Sequence, residues 1–220
     1  MRKIIATAFV SLDGVMQGPG GPQEDTSGGF DLGGWTANYR SEKSGAAVLE
    51  MVGTLAKPYD LLLGRRTYDN FAGFWPNVPA DNPIGPVFTK ANKYVLTGGS
   101  AKLEWANSHQ LRNLDELKKV KAEEGSDIVL WGSSTLYPQL LDANLIDRLV
   151  LLTIPIVLGK GKRIFGNTSH QVAMKLTKCE ATPTGVIMAT HYRPAKISEG
   201  HPNPLKISMI THGQSENDFN

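Results

Sequence analysis

Short apolar runs closed by glycine recur along the chain, and between them apolar residues fall at helical spacing. Residues 2–10 (RKIIATAFV), Asp60–Leu63, Tyr94–Thr97, Asp127–Trp131 and Leu149–Ile154 each read as a strand. Unbroken apolar runs bounded by turn residues suit strands covered on both faces. Val48, Met51, Val52 and Leu55 predict a helix from about Ser44 to Ala56, stopping before Pro58. A short helix or turn follows at Arg66–Phe71, then a loop through Trp75, Pro76, Pro79, Pro83 and Pro86. Asn113 is placed to cap a helix LDELKKVKAEE that ends at Gly125, and Gly132–Thr135 leads into a helix reaching about Ala143. Strand and helix alternate, which implies a largely parallel sheet with helices on its faces.

The end of the chain changes period. Residues 172–180 and 185–193, about Pro183-Thr184-Gly185, predict an antiparallel hairpin at a sheet edge. Beyond Ala195 the chain is polar, with Pro202 and Pro204, and LKISMI at 205–210 is its one strand-like run. The expected organisation is an α/β domain over 1–193 and a tail over 194–220. Between the first two strands, residues 13–35 (DGVMQGPGGPQEDTSGGFDLGGW) form a glycine-rich loop. Its length in a compact domain favours a functional lid.

Composition narrows the partners. The 220 residues are 40% hydrophobic and 20% charged, an ordinary globular balance, and the net charge of +2 is spread along the chain. No basic footprint for nucleic acid results. Cys179 stands alone, so an internal disulfide and a thiolate metal cage are ruled out and a cytoplasmic setting is expected. The opening MRK before IIATAFVSL has the look of a secretory leader, but Thr7 and Ser11 break it and Asp13-Gly14 follows where small residues are required, so a buried strand is the better explanation. Nothing approaches the roughly 20 apolar residues that span a bilayer, and no membrane partner is expected. The five histidines are dispersed, so no metal site is expected.

Three strand ends carry glycine and hydroxyl residues: Gly64-Arg65-Arg66-Thr67, Thr97-Gly98-Gly99-Ser100 and Gly132-Ser133-Ser134-Thr135. In a parallel sheet they converge where ligands bind. Each has a structural explanation, since glycine turns strands and Ser or Thr caps helices. Together they suggest more. Paired arginines beside a helix N-terminus offer forked donors for phosphate oxygens, and Gly132 would let a ligand approach the backbone. Gly18-Pro19-Gly20-Gly21 lacks the strand and helix of a dinucleotide fingerprint, and Gly159-Lys160-Gly161-Lys162-Arg163 lacks Walker spacing and reads as a basic turn. Ser133 lies in no nucleophile elbow.

The order of these motifs resembles the dihydrofolate reductase-like superfamily, and most closely the C-terminal reductase domain of the riboflavin-biosynthesis deaminase-reductases. The resemblance is carried by Ser11-Leu12-Asp13-Gly14, Lys57-Pro58, Gly64-Arg65-Arg66-Thr67-Tyr68, Ile128–Leu136, Ile146-Asp147-Arg148-Leu149, Ile154–Gly159 and Gly161–Phe165. It implies a three-layer sandwich whose central sheet is mixed and mostly parallel, with helices on both faces. It implies NADPH held by Gly64, Arg65, Arg66 and Thr67 at its phosphates, with one arginine on the 2′-phosphate. Thr97 and Gly98 would lie by the adenosine, and Gly132, Ser133, Ser134, Thr135 and Leu136 by the pyrophosphate. Gly14 and Val15 would close over the nicotinamide. The chain departs from these families at two places. Ala46 stands where folate reductases carry a pterin-binding acid, and Trp131 where the riboflavin reductases carry an acid before the glycine turn.

On the substrate side this leaves Trp35, Tyr39, Glu50, Trp75 and Trp131, with Asp13 either relaying a proton or serving as a turn aspartate bonded to its own backbone. The expectation is an NADPH-dependent reductase passing hydride to a small planar heterocycle or carbonyl compound. The alternative is a protein of the same fold that binds a nucleotide or small molecule without turnover. A homodimer is expected, since the hydrophobic strands near 149–158 and the terminal hairpin offer an edge surface and the resembling riboflavin reductases pair this way.

Overall fold

A computed structural model of the protein describes residues 1–39, 58–100, 102–166 and 168–193. The expected helix at Ser44–Ala56, Glu50, Ala46 and the tail beyond 193 lie outside the described residues.

Eight strands form one sheet in the order β4-β3-β2-β5-β1-β6-β8-β7. They are β1 (Ile4–Ser11), β2 (Tyr59–Gly64), β3 (Lys93–Leu96), β4 (Ser108–Leu111), β5 (Asp127–Gly132), β6 (Arg148–Ile154), β7 (Lys175–Ala181) and β8 (Ile187–Tyr192). β1 to β6 pair in parallel, and the β7–β8 hairpin joins antiparallel to β6. The hairpin turns through Gly185 at φ 82°, a conformation that favours glycine.

The apolar runs are unbroken because both faces are covered. Ile5, Leu61, Leu63, Val129, Val150 and Leu152 belong to one core, while Ile4, Ala6, Leu62, Ile128, Leu130 and Leu149 belong to the other. That split follows from the alternation of side chains across a strand. Helices α1 (Arg65–Phe74) and α2 (Gly85–Lys90) place Tyr68 and Phe88 in the first core. Helices α3 (Leu114–Ala122) and α4 (Leu136–Asp142) place Leu117, Tyr137, Leu140 and Leu141 in the second. The three-layer α/β sandwich is therefore present. Asn113 caps α3 as expected, its Oδ1 accepting from the N–H groups of Asp115 and Glu116 at 3.0 Å each.

Two elements differ from the sequence expectation. The proline-rich stretch expected as a loop contains α2, because Pro86 sits in the first turn, where a missing N–H costs nothing. β4 went unforeseen: SHQL is mostly polar, with Leu111 its one buried residue, and its strand partner is β3 alone.

At the amino ends of the strands, Arg2 and Asp60 form a buried ion pair. Asp60 Oδ1 also accepts from the backbone and side-chain nitrogens of Asn92, at 3.0 and 3.1 Å, while Arg2 Nη1 reaches the Tyr94 hydroxyl at 3.1 Å. At the opposite ends, β5 carries a one-residue irregularity against β2: Leu62 pairs with Leu130, but Leu63 pairs with Gly132. Trp131 is the extra residue, and such bulges re-aim side chains beside functional sites.

Candidate functional site

The carboxyl ends of β2 and β5 open onto a cleft of about 1350 Å³. Gly64 to Thr67 form one wall at the N-terminus of α1, and Gly132 to Leu136 form the facing one. The two walls interlock. A Cβ on Gly64 would come within 2.2 Å of Ser133 Oγ, and one on Gly132, at φ 137°, within 2.7 Å of Thr67 Oγ1. Thr67 Oγ1 and Ser133 Oγ lie 3.2 Å apart. The Cβ position at Gly132 is thus taken up by Thr67, while Gly132 itself lines the cleft.

The glycine-rich loop forms the roof of this phosphate-suited half. It has a packed interior of its own: Phe30 and Trp35 are buried, and Trp35 Nε1 donates to the Gln17 carbonyl at 2.8 Å. Arg66 Nη1 donates to Asp25 Oδ1 and Ser27 Oγ, both at 2.5 Å, and Lys162 Nζ donates to Asp25 Oδ2 at 2.7 Å and Ser27 Oγ at 2.5 Å. Partial burial acts to raise the Asp25 pKa, but hydrogen bonds from Lys162 and Ser27 outweigh it and hold the carboxyl at about 2. Arg65 pairs with Asp69 one turn on, at 2.9 Å, and its guanidinium lies 5.9 Å from the Tyr68 ring centroid.

The other half of the cleft is aromatic. Phe71 stacks on Phe88 at 5.6 Å, and Trp75 and Trp131 meet Phe88 edge-on at 5.0 and 5.5 Å. Both indole nitrogens are buried without a hydrogen-bond partner, so this wall presents aromatic carbon. Tyr39 lines the same cleft. Among the described residues that line it, the acids are Glu24 and Asp25, both on the loop.

Several expected site residues stand elsewhere. Asp13 is not on the cleft wall. Ser11 Oγ donates to its carboxylate at 2.6 Å, the N–H groups of Leu158 and Gly159 at 3.1 and 2.9 Å, and Arg163 Nη2 at 3.4 Å. The Ser11 and Leu158 bonds lead in holding its pKa at about 2. Held by these bonds and away from the cleft lining, the Asp13 carboxylate staples the loop after β1 to the segment after β6. Gly14 forms that turn at φ 80°, and Val15 is buried and bridges to Arg163. Trp35 belongs to the interior of the loop. Thr97 and Gly98 lie outside the cleft lining, which on this strand reaches Leu96, and Gln110 Nε2 donates to the Thr97 and Gly99 carbonyls at 3.1 and 2.6 Å.

Asp25, Ser27, Phe71, Phe88 and Lys162 were not singled out by the sequence. Lys162 sits in the GKGKR stretch that reads as a basic turn, and it meets Asp25 from 137 positions away. No short-range pattern marks such a pair.

Set beside known proteins, residues 2–188 match the family model of the RibD C-terminal domain. The chain is 23% identical over 197 residues to YyaP of Bacillus subtilis (strain 168), spanning 87% of this chain and 95% of that protein. It is 26% identical over 178 residues to YwjB of the same organism, spanning 80% and 89%. Both are named as uncharacterized proteins. Among solved structures, a Shewanella sp. PV-4 protein named for riboflavin biosynthesis superposes with a TM-score of 0.63 at 20% identity, over 87% of this chain and 99% of that one. A pyrimidine reductase-like protein of Corynebacterium diphtheriae gives 0.56 at 13%, over 89% and 93%. Dihydrofolate reductase of Enterococcus faecalis, solved in complex with NADP(H) and RAB-propyl, gives 0.50 at 17%, over 87% and 96%.

Proposed function

Because this chain belongs to the RibD C-terminal domain family, whose fold it shares with reductases, we propose that it is an NADPH-dependent reductase acting on a small planar heterocyclic or carbonyl compound. The observation that carries this is the division of one cleft into two halves. Cations, hydroxyls and the N-terminus of α1 line one, and aromatic rings line the other.

The donor set fits a nicotinamide dinucleotide. Backbone N–H groups at the start of α1 and the Arg66 guanidinium suit phosphate oxygens, with Arg65 beside them on the same turn. Thr67, Ser133, Ser134 and Thr135 add hydroxyl donors. Bound there, the cofactor supplies a hydride. The aromatic wall orients the acceptor, since flat rings pack well on Phe and Trp faces and edges. It also excludes water, which strengthens polar contacts within the cleft. With Asp13 ionised and turned to the loop backbone, the balancing proton comes from solvent or from the substrate's own exchangeable groups.

Titration followed by fluorescence should show NADPH binding more tightly than NADH. Arg66→Ala should weaken NADPH about 10- to 100-fold, the scale of one or two charge-assisted hydrogen bonds, and change NADH far less. The absence of binding by either nucleotide would refute the proposal.

A role in binding without turnover is the second possibility. It is favoured by the lack of an acid on the aromatic wall among the described residues. Consumption of bound NADPH in the presence of quinones, pterins or carbonyl compounds excludes it.

A further inference from the structure

Arg66, on the second position of α1, and Lys162, after β6, are 96 positions apart in sequence, yet both close on the same two side chains of the glycine-rich loop. Ser27 N–H donates to Asp25 Oδ1 at 3.1 Å, and Gln17 Nε2 reaches Ser27 Oγ at 3.5 Å. Ser27 Oγ accepts from both cations and donates its single proton to Asp25 Oδ1 at 2.6 Å, while each Asp25 oxygen faces one cation. Two positive charges therefore share one negative charge. The Asp25 side chain is 15% exposed, while those of Lys162 and Arg66 are 36% and 51% exposed, so the cations remain open to a ligand beside the carboxylate. Asp25, Arg66 and Lys162 all line the cleft.

We propose that Arg66, Lys162 and Ser27 form an anion seat which the Asp25 carboxylate fills in the protein alone and which a phosphate monoester dianion takes over on binding. A carboxylate brings one charge and two acceptor oxygens. A monoester dianion brings nearly two charges and three acceptor oxygens, enough to satisfy both cations and the serine hydroxyl at once. A ligand lacking that group has nothing to offer in exchange and leaves Asp25 where it is. The loop carboxylate thus acts as an internal competitor, and it sets a threshold that only the more highly charged anion passes. Where the anion is the extra phosphate of NADPH, an identification that rests on the function proposed above, Asp25 becomes a determinant of choice between NADPH and NADH.

Exchange also bears on the loop. Asp25 and Ser27 tie residues 25–27 to α1 and to Lys162, and Asn70 Nδ2 adds a bond to the Glu24 carbonyl at 2.8 Å. The loop's own staples survive displacement, since Gln17 Nε2 holds the Asp25 and Ser27 carbonyls at 3.1 and 2.9 Å. Losing the carboxylate contacts would loosen the roof as a unit without unravelling it.

The test uses adenosine 2′-phosphate as the probe, so that the seat is examined apart from any redox role. Asp25→Asn keeps the size of the side chain and removes its charge. It should bind adenosine 2′-phosphate and NADPH about 10-fold more tightly than the parent protein, with NADH changed less than about twofold. Lys162→Met should weaken adenosine 2′-phosphate about 10-fold. If Asp25→Asn binds the probe no better than the parent protein, or Lys162→Met binds it equally well, the seat is overturned. A probe that behaves as expected while NADPH fails to bind overturns the reductase proposal and leaves the seat standing. NADPH binding with an unresponsive probe does the reverse.

Discussion

Replacing Asp60 by alanine is expected to destabilise the protein by about 3–5 kcal/mol, the cost of stranding a buried charge whose partner has been removed. Arg2 would keep its bonds to the Ser126 carbonyl and the Tyr94 hydroxyl, but its guanidinium would lose the buried carboxylate that balances it. The Asn92 donors would be left unmatched as well. Asp60→Asn, which retains an acceptor for Asn92, should cost less. Urea denaturation followed by circular dichroism measures both variants, and a loss below about 1 kcal/mol for alanine would show that the pair is no anchor. The pair lies at the ends of the strands opposite the cleft, so the nucleotide affinity of whatever protein remains folded should be unchanged.

The second large effect is at Gly132. Alanine there meets two penalties, a φ of 137° that side chains rarely adopt and a Cβ only 2.7 Å from Thr67 Oγ1. Backbone strain of this kind costs about 1–3 kcal/mol and overpacking a further 1–3 kcal/mol, so a total of about 2–6 kcal/mol is expected. Relief comes by turning the Thr67 side chain or by pushing α1 away from the turn after β5, and because either disturbs the cleft wall, the nucleotide affinity proposed above should fall with it. The double variant Thr67→Ala/Gly132→Ala separates the causes. It removes the overlap but keeps the φ, and should recover about half of the lost stability in a thermal melt. Full recovery would show that the backbone is not strained, and no recovery that the overlap is relieved elsewhere.

Particular residues show why some of this protein could be read from its sequence. Leu61, Leu62 and Leu63 are apolar without a break because Leu62 faces one core and its neighbours the other, and that doubling marks a central parallel strand directly. Pro183-Thr184-Gly185 announced the hairpin through local turn chemistry. β4 gave no such sign, since an edge strand covered by little can be as polar as a loop. The phosphate-suited walls were visible because each is a contiguous strand end. The roof was not. Asp25 and Ser27 look like turn residues, Lys162 looks like a solvated lysine, and only the folded chain brings them onto Arg66. Asp13 shows the converse case. Its position beside a glycine turn suited either a proton relay or a staple, and four hydrogen bonds decide for the staple. Trp131 gained its place from a bulge, a feature of pairing register that composition does not encode.

The interlocked ends of β2 and β5 also limit how sequences with this architecture can drift. Position 64 has no room for a side chain while a serine stands at 133, and position 132 has none while a threonine stands at 67. Shedding the Ser133 hydroxyl would not free position 64, where a Cβ would still lie 2.9 Å from the Ser133 Cβ and 3.1 Å from its backbone nitrogen. The shape of the walls therefore favours glycine at both 64 and 132, at 132 through its φ of 137° as well, and this steric demand holds whatever the cleft binds.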